Sequence, residues 1–520
     1  MKKATKKVAK TIEKKNAAQK KQQVNNQTTM RSSAVKTNYK PLTWNEVFAN
    51  DQMPPMPPVL PQLIETAISQ TPELLRGTVA QVIPVPFSIY TRNLRFVYTD
   101  NRTRELRMNC LLVAKEGGGK ECITPPVKHI LAEIKANDKR NRQRLKEFNE
   151  RYNRTRQDED KPERPSDLDI RWLYSDITRP RLGQAMEDAQ GAFLFLKLNE
   201  LEDWDRVEGQ KGRSNSFSIM KLIDDEDNDF GQDRVGAQSV NADGCLRLNW
   251  IADTTEPKLK KYFRHIHGEG PISRITMGSI PMVEIGAPIP VFGCYDKKYD
   301  ESLKPFIENL KKATGTVTCK QAQKMADKLK AEIDEFNSKS QDRILDTLSH
   351  RALVAAFRRA CLIYAANGMV WEPEIENYCR WSMQVDLFLK YKLFADDIRE
   401  ATDSVKTDKP GPQSLLDKII ADEQGTFKYD EVVRVYTESG RKPDEKKIRN
   451  MLCQWKSRGF ILQMTVTKNR GVTTNNQKEF HPISKQGGWV INLIPKSSIY
   501  HNADSRSKGK GSVPEEPTSP

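Results

Sequence analysis

Continuous apolar runs, more than strict alternation, pattern the first 300 residues. Runs at 81–90, 94–98, 108–114, 192–201, 245–252 and 280–292 are bounded by Gly, Pro, Asn or charged residues. Short runs of this kind predict strands, and strands buried on both faces read as unbroken hydrophobic stretches. Between them, 62–82 and 125–135 predict helices. Charge dominates 135–164, which suits an exposed helix or coil. From about 302 to 402 the period becomes helical, with Leu345, Leu348, Leu353, Ala356 and Phe357 on one stripe. Strands interleaved with helices predict an α/β fold, and the order of the motifs described below predicts a mainly parallel sheet over residues 75–300.

The pattern changes again near the C-terminus. Residues 414–422 place Leu415, Leu416, Ile419 and Ile420 on an apolar helix face, and about 430–437 places Val432, Val433 and Tyr436 inward. A third helix starts at Asp444, a good N-cap, with Ile448, Leu452 and Trp455 at i, i+4 and i+7. Strands are expected at 460–466 and 479–483, joined by a Lys468-Asn469-Arg470-Gly471 tip. Three helices and a basic hairpin predict a winged helix. Lys446, Lys447, Arg449 and Lys456 lie mostly off its core stripe, and with Lys468 and Arg470 they suit the DNA backbone and major groove. Protein contact is the competing use of such a module.

Composition adjusts this picture at the ends. The 520 residues carry a net charge of +16, but residues 1–40 hold twelve Lys or Arg against one acid, Glu13. That tail cannot bury a core and is expected to be a disordered basic arm, suited to phosphate backbones or simply to keeping the chain in solution. A Pro-rich lead-in and helix occupy 41–74, a core 75–300, a helical domain 301–403, a linker 404–413, the winged helix 414–490 and a polar tail 491–520. Apolar runs are too short for a membrane span, and the basic start lacks an apolar signal region. The eight cysteines form no CxxC pair, which points to reduced thiols and a cytoplasmic setting. His265 and His267 lack a third ligand and read as loop residues. The acidic stretch 224–235 does not match a calcium loop in any register.

Candidate chemistry concentrates at 109–122, NCLLVAKEGGGKEC. An apolar strand runs into Gly117, Gly118, Gly119 and Lys120, with a helix expected beyond. Glycines allow backbone N–H groups to face phosphates, and Lys120 would reach the β and γ phosphates of ATP. Against the Walker A pattern, Ala114 stands at the first glycine and Glu121 at the hydroxyl that holds Mg²⁺. A flexible Gly-rich turn is the alternative. The run at 193–198 ends in Asn199-Glu200, with Glu200 where a catalytic Glu belongs and Asn199 where the metal-binding Asp belongs. A buried strand leading to an acidic surface loop fits it equally.

Taken in order, these segments resemble a family of RecA-like P-loop proteins of unassigned function, found beside primase and helicase genes in bacterial mobile elements and phages. The resemblance runs from the Pro-rich lead-in to about residue 400. It rests on the loop at 111–121, the charged helix after it, Tyr174–Thr178 before a helix, and the strand ending in Asn199-Glu200. It also includes 247–256 (RLNWIADTTE), similar to the sensor strand, 270–275 (GPISRI), similar to a Gly-x-x-Ser-Arg element, and a lid-like helix with His350-Arg351 and Arg358-Arg359.

The resemblance implies a RecA-like core, ATP and Mg²⁺ as cofactors, Arg274 as a sensor or finger arginine, and DNA, a primase or other replication proteins, or further copies of the chain as partners. The replaced Walker residues predict weak or absent hydrolysis. Three functions follow: a helicase- or primase-like accessory NTPase, a pseudo-ATPase DNA-binding or scaffolding subunit, and a nucleotide-regulated switch. Arg274 as a structural ion-pair residue is the plain alternative to its nucleotide role.

Overall fold

The fold grows around strands that the sequence makes apolar along their whole length. Chain order gives β1 (Leu94–Val97), β2 (Thr103–Glu105), β3 (Asn109–Ala114), β4 (Trp172–Leu173), β5 (Leu194–Lys197), β6 (Phe230–Gln232), β7 (Ala242–Gly244), β8 (Leu248–Thr255), β9 (Met277–Ser279) and β10 (Gly315–Val317). The computed structural model describes residues 39–49, 51–115, 119–156, 160–208, 217–232, 242–263, 270–281, 286–403, 415–422, 426–439, 442–465 and 487–491. The basic arm to residue 38, Gly117, Gly118, His265, His267, the 404–413 linker, the expected strand 479–483, the wing residues Lys468 and Arg470, and the tail from 492 lie outside them.

Five strands form a parallel sheet in the order β4-β5-β8-β3-β9. The expected α/β class with a parallel sheet is therefore present. All eight residues of β8 are buried, as a central strand with both faces covered requires. Its partners are fixed in register: Asn109 faces Trp250 and Ala114 faces Thr255 across β3–β8, and Leu196 faces Trp250 across β5–β8. Helices Thr124–Ile130 and Ala132–Arg154 lead from β3 to β4, and Arg179–Ala189 leads to β5. Because every strand is parallel, the carboxyl ends share one edge of the sheet. The chain leaves β3 in one direction and later returns to its other side as β9. That change of direction is where open α/β sheets form ligand crevices.

Buried polar side chains tie the elements of this core together. Asn249, fully buried in β8, donates to Ser88 Oγ at 2.7 Å and to the Leu106 carbonyl, and accepts from the Met108 N–H. Gln81 donates to the Met277 and Ser382 carbonyls. Gly278 in β9 sits under this helix–strand contact: a Cβ there would lie 2.9 Å from Leu112 Cδ2 and 3.1 Å from Gln81 Cγ. Asp386, on helix Glu374–Asp403, accepts from the Met277 N–H of β9 and pairs with buried Lys390 at 2.8 Å.

Two expected strands are corrected. The run 81–90 is helical, in Glu73–Val82 and Pro84–Ser88. Its residues are buried on every side, which erases the period that separates a buried helix from a buried strand, and Pro84 suits a first helical turn. Beyond β9, residues 286–295 form no strand, and Ile289 and Val291 are each 86% exposed.

Residues 301–403 are helical apart from β10, which pairs parallel with β1. Helices Lys297–Lys312, Lys320–Ser340, Arg343–Ala366 and Glu374–Asp403 carry the expected stripe: Leu345, Leu348, Leu353, Ala356 and Phe357 are all buried. One hydrophobic cluster spans Trp44 to Ile398, so the lead-in, the sheet and these helices share a core. Among the described residues no helix is long and apolar enough to cross a membrane. All eight cysteines are free thiols.

The chain divides into two compact units, the second comprising residues 338–341 and 405–520. In the second, helix Leu415–Asp422 precedes β11 (Thr426–Lys428), then come helices Tyr429–Glu438 and Glu445–Ser457, β12 (Ile461–Thr465) and β13 (Gly487–Ile491). The antiparallel order is β11-β13-β12. The strand β11 had no counterpart in the sequence reading. A separate cluster holds Leu415, Leu416, Ile419, Phe427, Val432, Val435, Ile448, Met451, Leu452, Trp455 and Ile461.

Candidate phosphate site at the carboxyl edge of the sheet

β3 delivers the glycine-rich segment to the carboxyl edge. After it, Gly119 adopts φ 75°, the left-handed region, before a 3-10 turn Lys120–Ile123 and helix Thr124–Ile130. A Cβ at Gly119 would meet nothing within 4 Å, so backbone conformation and not space selects glycine there.

The turn aims Lys120 toward the neighbouring strand. Lys120 Nζ lies 3.2 Å from Oδ1 of Asp253 in β8. Asp253 stands beside Leu112 in the ladder, two positions before β8 ends. The lysine and aspartate side chains are 22% and 11% exposed, so water screens the pair only partly. Burial pushes the Asp253 carboxyl up, Lys120 and Lys197 oppose this, and Glu200 adds to it; the net effect is a raised pKa.

The third contribution comes from β5. Its last residue, Lys197, donates to Thr124 Oγ1 at 2.8 Å. Glu200 follows three residues on, with its carboxylate 3.1 Å from Lys258 Nζ on helix Glu256–Tyr262. Asn199 and Glu121, the residues that replace the usual metal ligands, are exposed. Three parallel strands thus bring together Lys120, Lys197, Asp253, Thr124 and Glu200.

Two ammonium groups beside two carboxylates and a hydroxyl suit a phosphate ester with a hard cation. Lysine binds phosphate as a point charge, and Mg²⁺ takes oxygen ligands from one or two carboxylates, substrate phosphates and water. Asp253, Glu200 and Thr124 are oxygen donors of that kind. Among the described residues no three His, Cys, Asp or Glu converge on one metal position. A cation here would therefore draw most of its shell from phosphate and water.

Arg274 lies elsewhere. It ends helix Gly270–Arg274, donates to the Gly270 carbonyl at 2.7 Å, and approaches Asp224 at 3.7 Å. Its own carbonyl accepts from Asn109, the first residue of β3. Lys120 belongs to the turn beyond the other end of that six-residue strand, which closes at Ala114. At about 3.3 Å per residue, the two ends are roughly 17 Å apart. Within one chain Arg274 and Lys120 therefore lie at opposite ends of β3, and a finger role for Arg274 would have to act across a subunit interface. Arg351 and Arg358 of the lid-like helix also meet Asp224, at 2.5 and 3.1 Å, and so stand at the amino edge with Arg274.

In the second unit, Asp444 caps helix Glu445–Ser457 by accepting from the Lys446 and Lys447 N–H groups. Lys446, Lys447, Arg449 and Lys456 are exposed, opposite buried Ile448, Leu452 and Trp455. Arg449 is held by Glu445 at 2.6 Å and stacks over Tyr429, which occupies part of its charge.

The sequence reading missed Asp253, Lys197 and Thr124. The run LNWIADTT has the same form as 193–200, an apolar strand with a carboxylate at its far end, and that signal pointed to Asp253. No protein-family model matches this chain, and no curated protein is significantly similar to it.

Proposed function

We propose that the chain is a DNA-associated, RecA-like P-loop protein of mobile-element replication or transfer, a helicase- or primase-like accessory factor. It binds a nucleoside triphosphate with Mg²⁺ and hydrolyses it slowly or not at all. The observation that carries this reading is the Lys120–Asp253 pair: beyond a central parallel strand, the turn that starts after Gly119 presents a lysine to a carboxylate on the next strand, at the sheet's carboxyl edge.

In this reading Lys120 holds the β and γ phosphates and Lys197 adds a second positive charge. Asp253, released by Lys120, and Thr124 hold Mg²⁺, whose charge offsets that of the phosphates. Glu200 orients water once freed from Lys258. Asn199 and Glu121, both exposed, lack the charge or the hydroxyl of the residues they replace and leave the cation few protein ligands, which is why turnover is slow. The C-terminal unit acts as a winged helix whose Lys446 and Lys447 meet DNA phosphates.

A scaffolding pseudo-ATPase is the second reading, favoured by carboxylates already occupying both Lys120 and Lys258. Binding of a fluorescent ATP analogue to the full chain, with and without Mg²⁺, separates the two. Saturable Mg²⁺-dependent binding with little phosphate release supports the nucleotide reading. No binding in either condition leaves the scaffold.

A further inference from the structure

The amino edge of the sheet carries a second cationic centre that the nucleotide reading does not use. A small cleft is lined by Arg107, Arg274, Arg351, Arg358, Arg359 and Lys390, with Asp224 and Asp386 as its only lining carboxylates among the described residues. Six cations therefore face two acids. Asp224 is shared by three guanidinium groups, at 2.5 Å from Arg351, 3.1 Å from Arg358 and 3.7 Å from Arg274. Burial raises its pKa, Arg358 and Arg351 pull it down, and the net is a depressed carboxyl that stays charged. Asp386 is held by Lys390. Behind the lining, Glu226 meets Arg358 at 2.6 Å and Arg107 at 3.6 Å, and Glu105 meets Arg107 at 2.9 Å.

Arg359 is left over. It is 3% exposed, donates to the Gln81 carbonyl, meets the Tyr378 hydroxyl, and among the described residues has no carboxylate partner. Its Nε is buried without an acceptor, as are those of Arg274 and Arg358. A buried cation without a counter-charge is strongly unfavourable, and three guanidinium groups on one carboxylate leave charge unbalanced. An anion in the cleft resolves both.

We infer that this cleft binds a terminal phosphate group, distinct from the Lys120 site at the opposite edge. A phosphate monoester carries about −1.5 to −2 charges and three acceptor oxygens, which matches the excess charge, and guanidinium forks pair with it in bidentate fashion. Depth selects a terminal group. Arg359 and Lys390, 3% and 1% exposed, form the floor, whereas the Arg351 side chain at the rim is 40% exposed. A phosphodiester inside a duplex backbone does not reach such a floor. Free phosphate and the end phosphate of a nucleotide share the chemistry.

The test uses the full chain carrying Lys120→Ala, which removes the other phosphate site, and titrates inorganic phosphate by calorimetry at constant ionic strength. Saturable binding is expected, weakened at least tenfold by adding Arg351→Gln or Arg359→Met. Arg351 is partly exposed, and Arg358 still holds Asp224, so the Gln variant is expected to fold even where the Met variant does not. Competition by ATP assigns a nucleotide's end phosphate; its absence assigns free phosphate. No phosphate binding in the Lys120→Ala chain, or binding unchanged by Arg351→Gln, overturns the inference. Loss of duplex DNA binding in Arg351→Gln, with no phosphate binding, overturns it in favour of a DNA surface.

Discussion

Asp253 Oδ1 stands 3.2 Å from Lys120 Nζ, so the lysine that would receive phosphate is held by a carboxylate on the neighbouring strand. On the proposed reading the pair would make nucleotide binding an exchange, in which a phosphate displaces Asp253 and a cation takes its place beside the carboxylate. Burial raises the Asp253 carboxyl, with Lys120 and Lys197 opposing, so its protonation releases Lys120 at a higher pH than an ordinary aspartate would.

Without Mg²⁺, ATP affinity should therefore rise on acidification, starting above the pH at which an ordinary aspartate, near about 4, would protonate. Asp253→Asn should give that higher Mg²⁺-free affinity at neutral pH and lose most of the stimulation by Mg²⁺. Equilibrium dialysis across pH for both proteins checks this.

Asp224 binds three guanidinium groups, so Asp224→Asn should destabilise the first unit by about 3–5 kcal/mol at neutral pH. The sign follows from its depressed pKa. Its stabilisation is complete above the unfolded value near 4 and is lost as pH falls through the lower folded value. The difference from wild type in urea midpoint should hold steady from about pH 7 to about pH 4 and shrink only below that.

Gly278→Ala places a methyl group 2.9 Å from Leu112 Cδ2 and 3.1 Å from Gln81 Cγ. Overpacking of this kind costs about 1–3 kcal/mol. Urea unfolding should show the loss, with Gly119→Ala as a comparison limited by backbone strain alone.

The C-terminal unit should bind DNA with strong salt dependence. Each neutralised phosphate contributes roughly 0.9 to the log–log salt slope on duplex DNA, so Lys446→Ala with Lys447→Ala should flatten it by about 1–2. Deleting residues 1–40 should weaken binding to all sequences alike, since a basic arm contacts phosphates rather than base edges. Fluorescence anisotropy at several salt concentrations reads both. An unchanged slope would make the unit a protein-contact module.

Local signals were legible in the sequence and long-range ones were not. The strand at 108–114, the Asp444 cap and the Ile448, Leu452 and Trp455 stripe depend on neighbours within a few residues, and the structure has them. The 81–90 segment failed because complete burial removes periodicity. Arg274 stands at the amino end of β3 in this chain, a placement that proximity in a motif string does not reveal. Asp253 was overlooked because its partner lies 133 positions away, and only the β3–β8 register brings them together. The acids at 224 and 226 read as a loop, yet they are the counter-charges of Arg358.

Calorimetric titration of Mg·ATP into the wild-type chain and into Lys120→Ala tests the central claim most directly. The account predicts saturable binding by wild type, weakened at least about tenfold in Lys120→Ala, which corresponds to roughly 1.4 kcal/mol or more. Equal binding by the two proteins, or none by wild type, would contradict it.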